Sequence, residues 1–295
     1  MIIQFPDSLK QILINQYAQS DIVLSATDKI IQFHDASGLH WWSTIMLSTI
    51  AVQMVVTLPF AVYQRRVIAR YELMQDELNT TSDKEIVQKI RKLADQNNWN
   101  QNKISFEYRR EKKVRKTELM KKYNCRRLKL FILVFIQAPI WVIGSCVIRN
   151  LTYMQPIADA TAQIVYVELK TDSFLWVHNL TVPDPYFPGF LILGHMINTR
   201  LNVIARKGKR TMLDKAIVIL HTSVMILLCN FAMEVPSSFV LYWSASVLCA
   251  LIQNLMFLSP TFRRLFRIPT TKSTRPNAFR KIGDKLKHMY KFLRY

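Results

Sequence analysis

The chain has 295 residues, half of them hydrophobic, and a formal net charge of +20 from 40 Lys+Arg against 20 Asp+Glu. Its mean hydropathy is nonetheless positive, +0.08, a combination that soluble domains of this size rarely show. Charge and apolar residues must therefore be segregated along the sequence, which argues against an evenly patterned soluble fold.

Residues 1–38 read as a polar, partly helical lead-in. They lack the apolar core and cleavage site of a secretory signal. Asp7, Asp21, Asp28 and Asp35 stand against only Lys10 and Lys29, unlike an Arg-rich, acid-poor mitochondrial transit peptide. Gly38 and the Trp41-Trp42 pair open a first span, Trp41–Val62 (39–62 with its approach), with Pro59 near its inner end. The helix is predicted to run on through Gln64–Leu78, turn at Asn79–Thr81 and restart at Ser82, with Glu85 at capping-box spacing. Ile86, Val87, Ile90, Leu93 and Ala94 recur at helical period, and beyond polar Asn97–Asn102 the basic stretch Phe106–Lys122 leads back. Residues 63–127 are thus predicted as a helical hairpin.

A second span is predicted over Leu128–Ile148 (128–148). The loop 149–186 then carries Phe174-Leu175-Trp176 and Pro183-Asp184-Pro185. The third span is predicted over Phe187–Ala205 (187–205), the loop 206–215 follows, and the fourth covers Ala216–Ala232 (216–232). Met233-Glu234-Val235 and Pro236, expected in the first turn of a helix, lead into the fifth, Ser237–Leu258 (237–258). In the basic tail 259–295, Phe279, Ile282, Leu286, Met289 and Leu293 share one helical side, as in an interfacial helix or a helix packing on another element. Runs of about 18 to 23 apolar residues cross a hydrocarbon core of about 30 Å, and lipid offers no partner for free backbone groups, so the spans are helical. The expected fold is an all-α integral membrane protein: five transmembrane helices, a helical hairpin after the first and a basic C-terminal tail.

The basic residues give the orientation. The segments 63–129, 206–215 and 259–295 hold 35 of the 40 Lys+Arg, whereas 1–40, 149–186 and 233–236 hold 4 basic and 9 acidic residues. The positive-inside rule puts the N-terminus outside and the hairpin, tail and C-terminus inside. Trp41, Trp42, Trp176, Tyr186, Tyr242 and Trp243 lie near predicted span ends, where amphipathic rings favour the interface. No zinc-finger, RRM or KH pattern accompanies the charge. It is read mainly as topology signal and solvated helix surface, with contact to anionic lipid headgroups or ribosomal RNA as the remainder.

The motifs of soluble catalysis are missing. Cys125, Cys146, Cys229 and Cys249 form no CxxC pair, the six histidines show no metal-ligand spacing, and GxSxG, Walker and GxGxxG patterns do not occur. The chain is read as no enzyme, with no catalytic residue, metal or cofactor. What the spans do carry is polar stripes. Thr49, Gln53 and Thr57 recur every four residues in span one, and Tyr242, Ser246 and Gln253 share a face of span five. Span two offers Gln137 and Ser145, span three His195, Asn198 and Asn202, and span four Ser223 and Asn230. Two readings stand side by side: hydrogen bonds between packed helices, about 0.6–2 kcal/mol each, or a wet groove within the membrane.

Further motifs follow in order: Thr57-Leu58-Pro59-Phe60 with Gln64, Gln137-Ala138-Pro139, Phe174-Leu175-Trp176 with Pro183-Asp184-Pro185, and Val235-Pro236-Ser237-Ser238 leading to Leu241-Tyr242-Trp243, Ser246 and Gln253. In these the chain resembles the YidC/Oxa insertases over about residues 38–258. Gly38–Trp42 and the short tail are most similar to the mitochondrial branch that assembles cytochrome c oxidase. The resemblance implies five membrane helices with a matrix-side hairpin and a polar groove lined by the stripes. It implies a function in the mitochondrial inner membrane: insertion from the matrix, and export of the C-terminal domain of cytochrome c oxidase subunit II to the intermembrane space. Its implied partners are subunit II, other nascent inner-membrane proteins, anionic lipids, other assembly factors and the mitoribosome, through hairpin or tail. Gln53 falls in the stretch where family members commonly carry an Arg that attracts acidic substrate, and Ser238 and Val247 replace a usual Gly and Asn. A non-translocating assembly factor is the alternative. A small-solute transporter fits less well, since internal repeats are not detected.

Overall fold

The computed structural model describes residues 16–205, 212–272, 274, 279–280 and 283. Most of these are helical, with turns and loops between the helices and an isolated bridge between Phe174 and Val177. The fold is all-α.

Helix α1, Asp21–Ser37, ends at Gly38, whose φ of 62° lets its N–H close back on the His34 carbonyl. The chain then turns into α2, a single 57-residue helix from Trp41 to Asn97, about 85 Å at 1.5 Å per residue. The turn expected at Asn79–Thr81 does not form. Leu78–Ser82 is instead a π-turn that keeps the helix continuous, and Ser82 caps nothing. Its hydroxyl is buried and accepts from Arg115 Nε at 3.3 Å, and Glu85 approaches Arg115 at 3.8 Å, so cross-helix contacts take both halves of the expected capping box.

Asn98, with φ 48°, ends α2, and Asn100 caps α3, Gln101–Lys122, by accepting from the Lys103 N–H. Helix α3 runs antiparallel to the far half of α2. Glu77 meets Lys122 and Tyr123, Asp83 meets Tyr108 and Lys112, and Lys89 meets Glu111. Ile86, Ile90 and Ala94 are buried on the expected face.

A 3-10 turn, Arg127–Phe131, leads into α4, Ile132–Tyr153, which runs five residues past the expected end of span two. Then follow α5, Ala160–Thr171; α6, Pro188–Ala205; α7, Met212–Ala232; α8, Ser237–Leu258; and α9, Pro260–Leu265. Among the described residues three helices are long and apolar enough to cross a membrane: α2, Leu128–Tyr153 and α8. The residues expected to form an amphipathic tail helix lie mostly outside the described part.

Helix α8 is the hub, packing on α2, α4 and α6. From Ser237 to Val247 each residue except Ser244 is buried, which fits a helix apolar all round. Around this half lies the main core, with Trp41, Ile45, Val147, Leu151, Leu169, Leu180, Phe187 and Leu191. A smaller core joins Ala61, Val62 and Ala69 of α2 to Phe257 and Ile268, and another fills the base of the hairpin with Val67, Met74, Leu78, Leu119 and Cys125. The segment after α9 runs along α2: Arg66 donates to the Phe266 carbonyl, Thr271 to Glu72 and Lys272 to Asp76. Hairpin base and tail therefore share one end of the bundle, and α1 and the 172–187 loop share the other.

Candidate functional site

The loop motifs converge on the start of α8. A helix N-terminus leaves backbone N–H groups without intrahelical partners, and Pro236 occupies the N-cap itself, one residue before its expected place. The Ser237 N–H donates to the Val182 carbonyl and the Ser238 N–H to the Leu180 carbonyl, both at 2.9 Å. Asp184, between its two prolines, accepts from the Phe187 N–H at 2.7 Å, closing the entry to α6. Ser238 Oγ lies 2.8 Å from Thr152 Oγ1 of α4, so this buried serine has a partner. At the same end Trp41 Nε1 donates to Glu168 at 2.8 Å, His34 stacks on Trp41 at 4.0 Å, and the Trp42 N–H donates to Asp172. This hydrogen-bonded corner joins α1, α2 and α5.

The polar stripes fall into seams around α8. Towards α2, Thr49, Gln53, Thr57, Ser246 and Gln253 are all buried, at 8% exposure or less. Gln253 Nε2 crosses to the Gln53 main-chain carbonyl at 3.2 Å. Thr49 and Ser246 donate to carbonyls of their own helices, at Ile45 and Tyr242. Gln53–Thr57 is a second π-turn. It precedes Pro59, which has no N–H for the turn before it, and such turns open a helix ladder locally.

Towards α4, the Tyr242 hydroxyl donates to the Trp141 and Ile140 carbonyls at 3.3 and 3.4 Å. Its ring lies over Gly144, where a Cβ would sit 2.2 Å from the hydroxyl oxygen, so only glycine allows this approach. Ser145 accepts from Trp243 Nε1 at 3.1 Å and donates to Trp141, whose ring stacks on that of Trp243 at 5.4 Å.

Towards α6, Val247 sits where a Cβ on Gly194 would be 2.7 Å from its Cγ1, so the valine fills a close helix contact. Further along, Asn254 Nδ2 donates to Asn198 Oδ1, and Arg65 donates to Asn254 Oδ1 at 2.6 Å while lying over the Phe257 ring. Arg65 and Asn254 were not singled out in the sequence. Arg65 follows Gln64 directly and Asn254 follows Gln253, so both lie one position off the polar faces read there. The remaining candidates stand apart: Gln137 and His195 are half-buried, Ser223 and Asn230 are exposed, Asn230 bonds back to the Ile226 carbonyl, and the Asn202 side chain lies outside the described part.

The family model for "60Kd inner membrane protein" matches residues 32–263. The human mitochondrial cytochrome c oxidase assembly protein COX18 is 34% identical over 267 residues, covering 90% of this chain and 79% of its own. The Saccharomyces cerevisiae protein of the same name is 26% identical over 274 residues, covering 79% of this chain and 85% of its own. The Arabidopsis thaliana mitochondrial inner membrane protein OXA1 is 24% identical over 263 residues, 85% of this chain and 55% of its own. The chain belongs to the YidC/Oxa family, in the branch of the mitochondrial cytochrome c oxidase assembly proteins.

Proposed function

We propose that this chain is a multi-pass insertase of the mitochondrial inner membrane that serves cytochrome c oxidase assembly. Its substrate in this reading is cytochrome c oxidase subunit II, whose C-terminal domain it exports from the matrix to the intermembrane space. The reading has five spans, with α6 and α7 added to the three long apolar helices, the N-terminus in the intermembrane space and the C-terminus in the matrix. The observation that carries it is the polar seam between α2 and α8, with Gln53 and Gln253 buried and bonded inside otherwise apolar stretches of the two helices, in a chain of this family.

Polar backbone moved through hydrocarbon costs several kcal/mol for each unsatisfied group. The stripe residues Thr49, Gln53, Thr57, Gln137, Ser145, Asn198, Ser223, Asn230, Tyr242, Ser246 and Gln253 form a path of temporary partners in this reading, with no energy-giving cofactor. The exposed Arg109, Lys113 and Lys121 of the hairpin meet anionic lipid headgroups or the mitoribosome, and other nascent inner-membrane proteins use the same path.

A second reading is an assembly factor that holds oxidase subunits without translocating them. The close burial of Thr49, Gln53, Thr57, Ser246 and Gln253 favours it. Photo-crosslinkers at Gln53, Gln137 and Tyr242, with subunit II arrested in transit, separate the two. The insertase reading expects adducts at all three. Labelling confined to hairpin positions refutes it and favours the second. A protease added on the matrix side is expected to cut within 63–127, and protection there refutes the orientation.

A further inference from the structure

The π-turn Gln53–Thr57 holds a competition for one carbonyl. The Gln53 carbonyl accepts the Leu58 N–H in the i→i+5 bond of the turn, and Gln253 Nε2 at 3.2 Å across the seam. A carbonyl oxygen has two lone pairs, so both are engaged. Threonines inside helices commonly bond back to the carbonyl four residues earlier. Thr27, Thr49 and Thr152 do so in this molecule, at 2.9, 2.7 and 2.8 Å. For Thr57 that carbonyl is Gln53, and it is taken. The Thr57 hydroxyl is fully buried and has no hydrogen-bond partner among the described residues. A buried polar group left in this state is costly, and the carbonyl four residues before it stays occupied while Gln253 is in place.

We propose that Gln253 is the group that takes the backbone of a polypeptide in transit, and that Thr57 replaces it on the Gln53 carbonyl when it does so. The inference rests on the insertase reading and deepens it. In the closed seam Gln253 bonds Gln53 and Thr57 goes without. In the engaged seam Thr57 donates to Gln53, and the Gln253 carboxamide, with donors and an acceptor, meets a backbone carbonyl or N–H of the substrate. The number of satisfied groups on α2 does not fall on opening, so the seam parts without stranding a carbonyl in the apolar interior. The ligand class is unpaired polypeptide backbone, recognised without regard to side chain.

The test uses the full chain purified into liposomes, with insertion of a membrane substrate bearing a polar C-terminal domain followed by protease protection. Thr57→Val keeps the shape and removes the hydroxyl. Insertion is expected to slow roughly two- to twelve-fold, the equilibrium effect of one hydrogen bond within a helix. The melting temperature should be unchanged or higher, because the lost hydroxyl had no partner. Thr57→Ser should restore the rate, and a crosslinker beside Gln253 should capture less substrate in the valine variant. If Thr57→Val inserts as fast as the unaltered chain, or if it melts earlier, the exchange is refuted while the insertase reading stands. If the unaltered chain inserts nothing, the insertase reading falls and this inference with it.

Discussion

Gly144→Ala tests the seam between α4 and α8 most directly. The added methyl would lie 2.2 Å from the Tyr242 hydroxyl oxygen, 2.4 Å from Cζ and 2.9 Å from Cε2. The ring is buried at 6% exposure, and Val240, Leu241 and Trp243 beside it in α8 are buried too. It has to tilt, breaking its bonds to the Ile140 and Trp141 carbonyls. Overpacking of this kind costs about 1–3 kcal/mol, and alanine returns about 1 kcal/mol through helix propensity. The net expectation is a loss of up to about 2 kcal/mol.

On a Tyr242→Leu background the clash is absent and only the propensity gain remains, so Gly144→Ala should be neutral or slightly stabilising. The two sites should thus couple by about 2 kcal/mol in a double-mutant cycle, within the range measured for contacting residues. Denaturant titration of the micelle-bound protein supplies the four stabilities, and the stacked Trp141–Trp243 pair beside the site supplies the fluorescence signal. An equal cost for Gly144→Ala on both backgrounds would refute the argued contact.

Two further predictions concern the ends of the bundle. In the hairpin, hydrogen bonds from Lys112 and then Tyr108 hold the Asp83 carboxyl below its ordinary pKa, and those from Tyr123 and then Lys122 do the same for Glu77. Carboxyls depressed in the folded state stabilise it at neutral pH, and that contribution is lost as pH falls past the ordinary carboxylate range and through their lowered values. Hydrogen exchange over 83–97 and 101–122, corrected for intrinsic rates, should show protection held down to that range and lost beneath it. Protection that does not fall there, or an identical acid transition in Glu77→Gln/Asp83→Asn, would count against the pairing. At the other end, Trp41→Phe keeps a ring against His34 but removes the donor to Glu168. The Glu168 side chain is 44% exposed, so the cost should sit at the low end for a charged partner, about 1 kcal/mol. Protease added on that side should then cut 149–186 faster, and an unchanged cutting rate would show that the bond does not hold the loop.

The sequence by itself determined that the chain is helical and belongs in a membrane. Long apolar runs leave no other way to satisfy backbone groups in lipid, and 35 of the 40 basic residues fall in three segments that alternate with ones holding more acid than base. It also announced the loop motifs, because prolines and an aspartate at helix entries act within a few residues of themselves. Periodicity likewise found Ile86, Ile90 and Ala94 on the inward side of the hairpin. The continuity of α2 across Leu78–Ser82 was not legible, since Asn-Thr-Thr-Ser has local chemistry that suits a turn equally well. Contacts from α3, such as Arg115 on Ser82, decide for the helix. Nor could periodicity assign partners to the polar stripes. Whether Thr57 reaches its i−4 carbonyl depends on Gln253, which lies 196 residues away in the chain, and the relay from Arg65 through Asn254 to Asn198 joins three helices. Those bonds exist because close packing around α8 brings distant polar groups within 3 Å or so, a distance that no local pattern encodes.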